Sequence, residues 1–255
     1  MWVFCGGMIR SGSTLQYQLA ADLVERFGVG RRLPHVPESE FKRTLQDVGH
    51  GRGLLVFKAH RCTPDMEELC RSGQGVVLYT FRDFRDVCVS TMKKFGLDFE
   101  GLIASGLLEM AVEEGRKWRA LPQVLSTRYE DLVPDIPREV VRIATFLRIN
   151  LPEGMAETIG GEYCLEKQKR RMGEVARRAG EPLTAKDILF DEKSLLHHNH
   201  IFGGTMGDWQ VELTQKSVEI LEEKFGVWLR ENDYAVGRPV MPSDARPERG
   251  GRRGP

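Results

Sequence analysis

The feature that most constrains the fold is a glycine-bounded loop near the start of the chain, between a strand pattern and a helix pattern. Apolar residues favour a strand at about 2–6, and the residues after the loop predict a helix at about 13–27. Gly7 and Gly12 have the G-x-x-x-x-G spacing of a loop that binds phosphate. Glycines let the backbone approach an anion, and N–H groups of the loop and helix N-terminus then point at it. The pattern therefore predicts an anion site.

Strand and helix patterns alternate along the rest of the chain. Gly75–Phe81 is a continuous apolar run, typical of a strand that is buried on both faces of a parallel sheet. We therefore predict an α/β protein with a three-layer P-loop fold, in which helices flank a central parallel sheet. The other predicted strands are 53–59 and about 123–128, and the predicted helices lie near 84–95, 99–120, 136–148 and 214–232.

Composition excludes several classes of protein. The 255 residues are 41% apolar, and Lys plus Arg equals Asp plus Glu at 37 each. This charge balance argues against a nucleic-acid partner, because proteins that bind nucleic acid are usually basic. No apolar stretch approaches the roughly 20 residues of a membrane helix, and no signal pattern opens the chain. We therefore expect a cytoplasmic protein with no membrane partner. The five cysteines are irregularly spaced, which favours reduced thiols.

The domain organisation is predicted to be simple. We expect one domain over 1–237 and a disordered tail over 238–255, since the tail is rich in Pro, Gly and Arg and has no apolar period. The segment 161–200 is polar and charge-rich, and we expect it to be a lid-like part that is helical in places. The sequence is compatible with a homodimer.

The second half of the first loop reads Arg10-Ser11-Gly12-Ser13-Thr14. A Walker NTPase has lysine where this chain has Ser13, so the usual clamp on the β- and γ-phosphates is absent. Arg10 places a cation within reach of a terminal anionic group and a bridging oxygen. The alternative is an ordinary turn, in which Ser13 caps the helix and Arg10 is solvated.

Lys58 and His60 lie two residues apart at the end of the second predicted strand. That spacing puts both side chains on one face, at the carboxyl edge of the sheet, where ligands bind in open α/β folds. A histidine there can take a proton from a hydroxyl group, and a lysine can neutralise developing charge. The alternative is a surface lysine beside a structural histidine.

Arg82 ends the third predicted strand, and Ser90 follows it by eight residues, about two helical turns. A guanidinium fork and a hydroxyl group can together bind one phosphate. The alternative is the start of an amphipathic helix, with Arg85 and Asp86 paired locally.

In this order the motifs resemble those of the sulfotransferase family, over about residues 2–230. The first loop is similar to the basic-Ser-Gly-Ser/Thr-Thr loop of that family. The stretch from Arg82 to Ser90 resembles its 3′-phosphate motif, with Phe84 in place of a common proline. Tyr129-Glu-Asp-Leu132 resembles a signature in which the tyrosine lies near the nucleoside. The resemblance implies the donor 3′-phosphoadenosine 5′-phosphosulfate (PAPS).

Gly203-Gly-Thr-Met-Gly-Asp-Trp209 resembles a late family segment in part. Phe202 and Gly203 stand where that segment has Arg and Lys, so backbone N–H groups around Gly203 and Gly204 are the expected substitutes for the missing clamp. The upstream His198-Asn-His200 is a second candidate. The cluster from His197 to His200 has no matched metal-ligand spacing elsewhere, and the family uses no metal, so we predict none.

The resemblance also implies roles. His60 is the general base, Lys58 and Arg10 stabilise the sulfuryl group and the leaving oxygen, and the acceptor is a hydroxyl group, which we expect on a small molecule. The predicted donor-binding residues are Arg10, Ser11, Gly12, Ser13, Thr14, Arg82, Ser90, Tyr129, Gly203 and Gly204.

Two other functions stay open on the sequence. One is a P-loop kinase, for which Asp83 is the ready Mg²⁺ ligand; the other is a non-catalytic nucleotide-binding protein.

Overall fold

A computed structural model of the chain describes residues 1–48, 53–178, 189–202 and 205–237. Its centre is a five-stranded sheet of order β2-β3-β1-β4-β5, in which all neighbouring strands are parallel. This confirms the predicted three-layer fold with a central parallel sheet. The strands are β1 (Trp2–Gly7), β2 (Gly30–Arg32), β3 (Leu54–Lys58), β4 (Gly75–Phe81) and β5 (Val124–Arg128).

Helices cover both faces of the sheet. Most of the predicted ones are present with ends shifted by a few residues. The helices are α1 (Ser13–Arg26), α2 (Phe41–Val48), α3 (Pro64–Arg71), α4 (Phe84–Phe95), α5 (Phe99–Ala104), α6 (Leu107–Arg119), α7 (Tyr129–Leu132), α8 (Ile136–Phe146), α9 (Met155–Glu162), α10 (Leu165–Arg177), α11 (Trp209–Glu212) and α12 (Gln215–Glu231). A 3₁₀ turn at Glu38–Glu40 precedes α2.

The central strands are buried on both faces, as their apolar runs predict. Because successive side chains of a strand point to opposite faces, Phe4 packs into one core and Val3 and Cys5 pack into the other. The first core includes side chains of α4, α6 and α12, such as Trp118, and the second includes side chains of α1 and α8, such as Tyr17. Within the described ranges, no helix has both the length and the apolarity that a bilayer span requires.

The structure differs from the sequence prediction in several elements. The strand β2 and the helices α2, α3, α9 and α11 were not predicted. The helix expected over 99–120 is two helices, because Gly106 adopts a left-handed backbone conformation with φ 68° between α5 and α6. The expected lid-like segment contains α10, while 179–188 and the predicted tail at 238–255 lie outside the described residues.

Parallel pairing brings four strand ends to one edge of the sheet. β3 ends at Lys58, β1 ends in the first loop, β4 ends just before Arg82, and β5 ends just before Tyr129. The predicted site residues from four separate motifs therefore meet at the carboxyl edge, where ligands bind in open α/β sheets.

Candidate active site

The first loop turns sharply between β1 and α1. Arg10 and Gly12 both have left-handed backbone conformations, with φ of 61° and 81°. A Cβ atom on Gly12 would lie 3.0 Å from Cδ2 of Tyr129, so this position needs glycine both for its conformation and for the close approach of the tyrosine ring. The loop is thus drawn tightly against the end of β5.

Ser11 fixes the loop to the sheet. Its buried hydroxyl donates to the Met8 carbonyl over 2.6 Å and lies 2.8 Å from the hydroxyl of Thr80 in β4. The side chain of Ser11 therefore shapes the loop, and its backbone N–H is the group left to face a ligand. No side chain caps α1, so the first-turn N–H groups at Ser13 and Thr14 face outward from the helix end.

Arg10 connects the loop to two other elements. Its Nε donates to the Ser90 hydroxyl over 2.9 Å, and its Nη2 donates to the carbonyl of His200. Burial, and then the guanidinium of Arg82, lower the pKa of Arg10 to about 10. The sequence placed this cation at the sulfuryl end of the donor; in the structure its guanidinium lies between that loop and the serine of the 3′-phosphate motif.

Arg82 is a buried cation with part of its hydrogen-bonding capacity unused. Its Nη2 donates to Asp86 over 3.2 Å and to the Thr205 carbonyl over 2.8 Å, and its guanidinium carbon lies 4.2 Å from the ring centroid of Tyr129. Its Nε is buried and has no hydrogen-bond partner among the described residues. A buried donor without a partner costs about 1–3 kcal/mol, a cost that a ligand accepting a hydrogen bond from this N–H would relieve.

Arg85 and Asp86, the residues of the alternative interpretation, both form local ion pairs, but not with each other. Asp83 caps α4 and forms a 2.8 Å ion pair with Arg85, while Asp86 pairs with Arg82. Asp86 also accepts hydrogen bonds from the N–H groups of Gly207 and Trp209, and so ties Arg82 to the late glycine segment. Gly203 and Gly204 themselves lie outside the described residues.

Lys58 and His60 lie side by side at the end of β3. Nζ of Lys58 is 3.4 Å from Nε2 of His60, and Nδ1 of His60 is 3.0 Å from the Gly7 carbonyl. Because a carbonyl can only accept, Nδ1 carries the proton and Nε2 keeps its lone pair. The imidazole is thus oriented with its basic nitrogen beside the lysine.

Both groups have lowered pKa values. Burial lowers the pKa of the Lys58 ammonium to about 8. His60 is exposed at the open side of the site, but the protein around its ring and the neighbouring ammonium of Lys58 hold its pKa well below the usual value. The imidazole is therefore neutral near pH 7, the form that accepts a proton. Glu38 fixes the backbone here by accepting from the His60 N–H over 2.7 Å.

A further segment contributes to the site, and within it the sequence offered His198-Asn-His200 as a second candidate for the missing clamp. It runs from His197 to Phe202, and Asn199 within it contacts the ammonium of Lys94 from α4. Lys94 follows Ser90 by one helical turn, and that i,i+4 spacing was the signal available in the sequence. In the described part of the chain, no three His, Cys, Asp or Glu side chains are arranged to hold one metal ion.

One cavity joins most of the predicted donor-binding residues. Its polar end is formed by the first loop, Arg82, Ser90 and Tyr129, and it continues between α1, α8 and α10 along apolar side chains such as Leu15 and Ile136. Cations and helix N–H groups at one end and an apolar slot at the other suit a ligand with anionic groups and a flat body. Lys58 and His60 stand beside the loop, linked to it through Gly7.

The comparisons with known proteins agree with this geometry. A family model described as a sulfotransferase domain matches residues 4–233. A search of the curated proteins finds no match. A solved structure of retinol dehydratase in complex with retinol and PAP is 20% identical, and the match covers 93% of this chain and 83% of that chain with a TM-score of 0.62.

A second solved structure, of mouse sulfotransferase SULT7A1 complexed with PAP, is 16% identical. The match covers 91% of this chain and 84% of that chain, with a TM-score of 0.63. At these identities the likeness shows a shared fold, and the match of the family model over nearly the whole chain shows the family. The chain belongs to the sulfotransferase family.

Proposed function

We propose that the chain transfers a sulfuryl group from PAPS to a hydroxyl group of a small acceptor by in-line displacement, with His60 as general base. As a family member, the chain is a PAPS-dependent sulfotransferase. The residue assignments depend chiefly on one observation: the first loop, Ser90 and Arg82 line the same cavity, and Nε of Arg82 has no hydrogen-bond partner among the described residues. Solved structures of similar fold support a small acceptor, since retinol dehydratase was crystallised with retinol and with androsterone.

The donor would lie across the sheet edge. The N–H groups of the first loop, with Thr14, bind the 5′-phosphate at the N-terminus of α1. Nε of Arg82 and the hydroxyl of Ser90 bind the 3′-phosphate, and Tyr129 lies against the nucleoside. The contribution expected from Gly203 and Gly204 in place of the Arg-Lys pair stays a prediction, since these residues lie outside the described ones. The apolar slot between α1, α8 and α10 accommodates the base.

Transfer requires a base and charge stabilisation at the other end of the donor. Nε2 of His60 takes the proton of the acceptor hydroxyl as its oxygen attacks sulfur. The bond from sulfur to the bridging oxygen breaks, and adenosine 3′,5′-bisphosphate (PAP) leaves. Lys58 stabilises the negative charge on the sulfuryl oxygens, and Arg10, between the first loop and Ser90, stabilises that on the leaving phosphate, because preorganised cations in a buried site act strongly on developing charge.

A P-loop kinase fits less well. Asp83, the carboxylate that a Mg²⁺ ion would need, is occupied in capping α4 and pairing with Arg85. Ser13 stands in place of the Walker lysine, so the usual lysine clamp on a γ-phosphate is absent. A non-catalytic nucleotide-binding role leaves the Lys58–His60 pair without a purpose.

The test is calorimetry with PAP, adenosine 5′-phosphate and MgATP. We expect PAP to bind about 10- to 100-fold more tightly than adenosine 5′-phosphate, since its 3′-phosphate adds charge-assisted hydrogen bonds. Arg82→Met should remove most of that advantage and change adenosine 5′-phosphate binding far less. Equal affinity for the two nucleotides, or tighter binding of MgATP, would contradict the donor assignment.

A further inference from the structure

Lys94 lies near the site, and the proposed binding mode of the donor gives it no role. It lies on α4 one turn beyond Ser90 and on the same face. Its ammonium contacts the side-chain oxygen of Asn199, and in the described part of the chain no carboxylate pairs with it. The adjacent Lys93 differs, because it points outward and pairs with Glu212 over 2.9 Å.

The surroundings of Lys94 are rich in imidazoles and cations. Burial lowers the pKa of His197 to about 4, with Lys94 and Arg10 acting in the same direction. The pKa of His200 is also well below its usual value, again through burial and then Arg10. Burial and Arg10 lower the pKa of Lys94 itself to about 8. Burial is the largest cause of each shift, and the neighbouring cations Arg10 and Lys94 act in the same direction.

Ring contacts connect this cluster to the transfer end of the site. His197 stacks on Phe190 with ring centroids 5.3 Å apart, and His35 meets the edge of Phe190 at 5.9 Å. His35 and Lys58 in turn affect each other electrostatically. Among the described residues, Glu38 is the carboxylate that acts on Lys58, and it is engaged by the backbone of His60.

The position of Lys94 along α4 separates it from the 3′-phosphate. Arg82 stands just before the first turn of α4, Ser90 is about two turns along, and Lys94 is about 6 Å further along the axis. The donor's anionic groups are already met by Arg82, Ser90, Arg10 and the first loop. The ring contacts that lead from His197 through Phe190 to His35, beside Lys58, are the basis for assigning Lys94 to the transfer side, which the acceptor enters.

We propose that the acceptor carries an anionic group near its reacting hydroxyl, and that Lys94, with His197 beside it, binds that group. The proposal depends on the sulfotransferase function proposed above. A carboxylate, phosphate or sulfate has the chemistry that a half-buried ammonium recognises through charge-assisted hydrogen bonds. The acceptor class is then a hydroxylated acid rather than a neutral alcohol.

The experiment uses matched neutral and anionic phenols on the full-length chain. The pairs are methyl 4-hydroxybenzoate with 4-hydroxybenzoate, and hydroquinone with 4-hydroxyphenyl phosphate, so the arms separate carboxylate from phosphate. Binding to the PAP-saturated protein is measured by calorimetry, and kcat/KM is measured with PAPS. We expect at least one anionic member to bind about 10- to 100-fold more tightly than its neutral partner.

Variants at two adjacent lysines provide the specificity control. Lys94→Met should lower the affinity and kcat/KM of the anionic probe at least tenfold more than those of its neutral partner. Lys93→Met removes the same charge from the outer face of α4 and should change neither. Equal losses for both members of a pair, or no anion binding tighter than its neutral partner, would overturn the proposal. Failure of the sulfotransferase function would appear separately, as absence of PAP binding.

Discussion

Arg10 illustrates how much of a residue's role depends on where its side chain turns. The motif places a cation in the first loop, and that much follows from the spacing. Its Nε reaches Ser90 and its Nη2 reaches His200, which are far away in the sequence. A lysine has one ammonium in place of this two-armed fork and cannot hold both partners in the same geometry. The arginine thus joins the first loop, α4 and the segment that contains His200.

His60 allows the sharpest test at the scale of one residue. Replacing it with glutamine keeps an N–H that can donate to the Gly7 carbonyl but removes the proton-accepting nitrogen. We expect kcat to fall about 10²- to 10⁴-fold, the usual contribution of a general base. PAP affinity, measured by calorimetry, should change little, because His60 does not line the donor cavity. A variant that keeps the full kcat would show that the base lies elsewhere.

The sequence predicted those residues of the candidate site that stand at or just after the ends of strands. Lys58 ends a predicted strand, Arg82 and Tyr129 each directly follow one, and parallel pairing then brings the three residues together. Lys94 was missed because it stands in no motif. The side chain of Lys94 contacts Asn199, which is 105 residues away in the sequence, and no local pattern predicts that contact.

At the scale of elements, strongly periodic segments were predictable and short ones were not. The helix α4 begins and ends where the pattern placed it, at Phe84 and Phe95. The edge strand β2 has three residues, Gly30-Arg-Arg, with no apolar alternation to reveal it. By contrast, α3 had a usable signal: Thr63 caps it and Pro64 opens it, the combination typical of a helix start.

The packing of Phe84 predicts how α4 is held in place. Its ring is fully buried. The ring centroid lies 4.2 Å from that of Phe225 and 5.4 Å from that of Trp228, both in α12. We expect Phe84→Ala to lower the free energy of unfolding by about 3–5 kcal/mol, as measured by urea denaturation, because it leaves a cavity between two helices. Phe95→Ala on the same helix is the control, since Phe95 is exposed. Similar losses in the two variants would contradict this packing role.

At the scale of the whole molecule, the cations of the site lower the stability of the folded protein when no anionic ligand is bound. Among the described residues, Arg10, Lys58 and Lys94 form no ion pair with a carboxylate, and they gather at one sheet edge in a chain whose formal net charge is zero. The ammonium of Lys58 is buried, and its pKa is about 8 in the folded protein against an ordinary 10.5. Between these values the unfolded chain binds more protons than the folded one, so this group makes folding more favourable as pH rises. The buried thiols of Cys5 and Cys88 act in the opposite direction, since burial raises their pKa values to about 12.

A comparison of variants isolates the contribution of Lys58 from that of the thiols. Lys58→Met removes the buried ammonium, so at pH 7.5 the variant should be more stable than wild type in urea denaturation without nucleotide. That advantage should shrink by about 2 kcal/mol at pH 9.5, where the wild-type lysine is largely neutral when folded. Saturating PAP should stabilise wild type more than the variant at pH 7.5, because PAP's phosphates compensate the ammonium. A stability difference that is independent of pH would mean that Lys58 keeps an ordinary pKa, and the site would then lack the uncompensated charge that prepares it for an anionic donor.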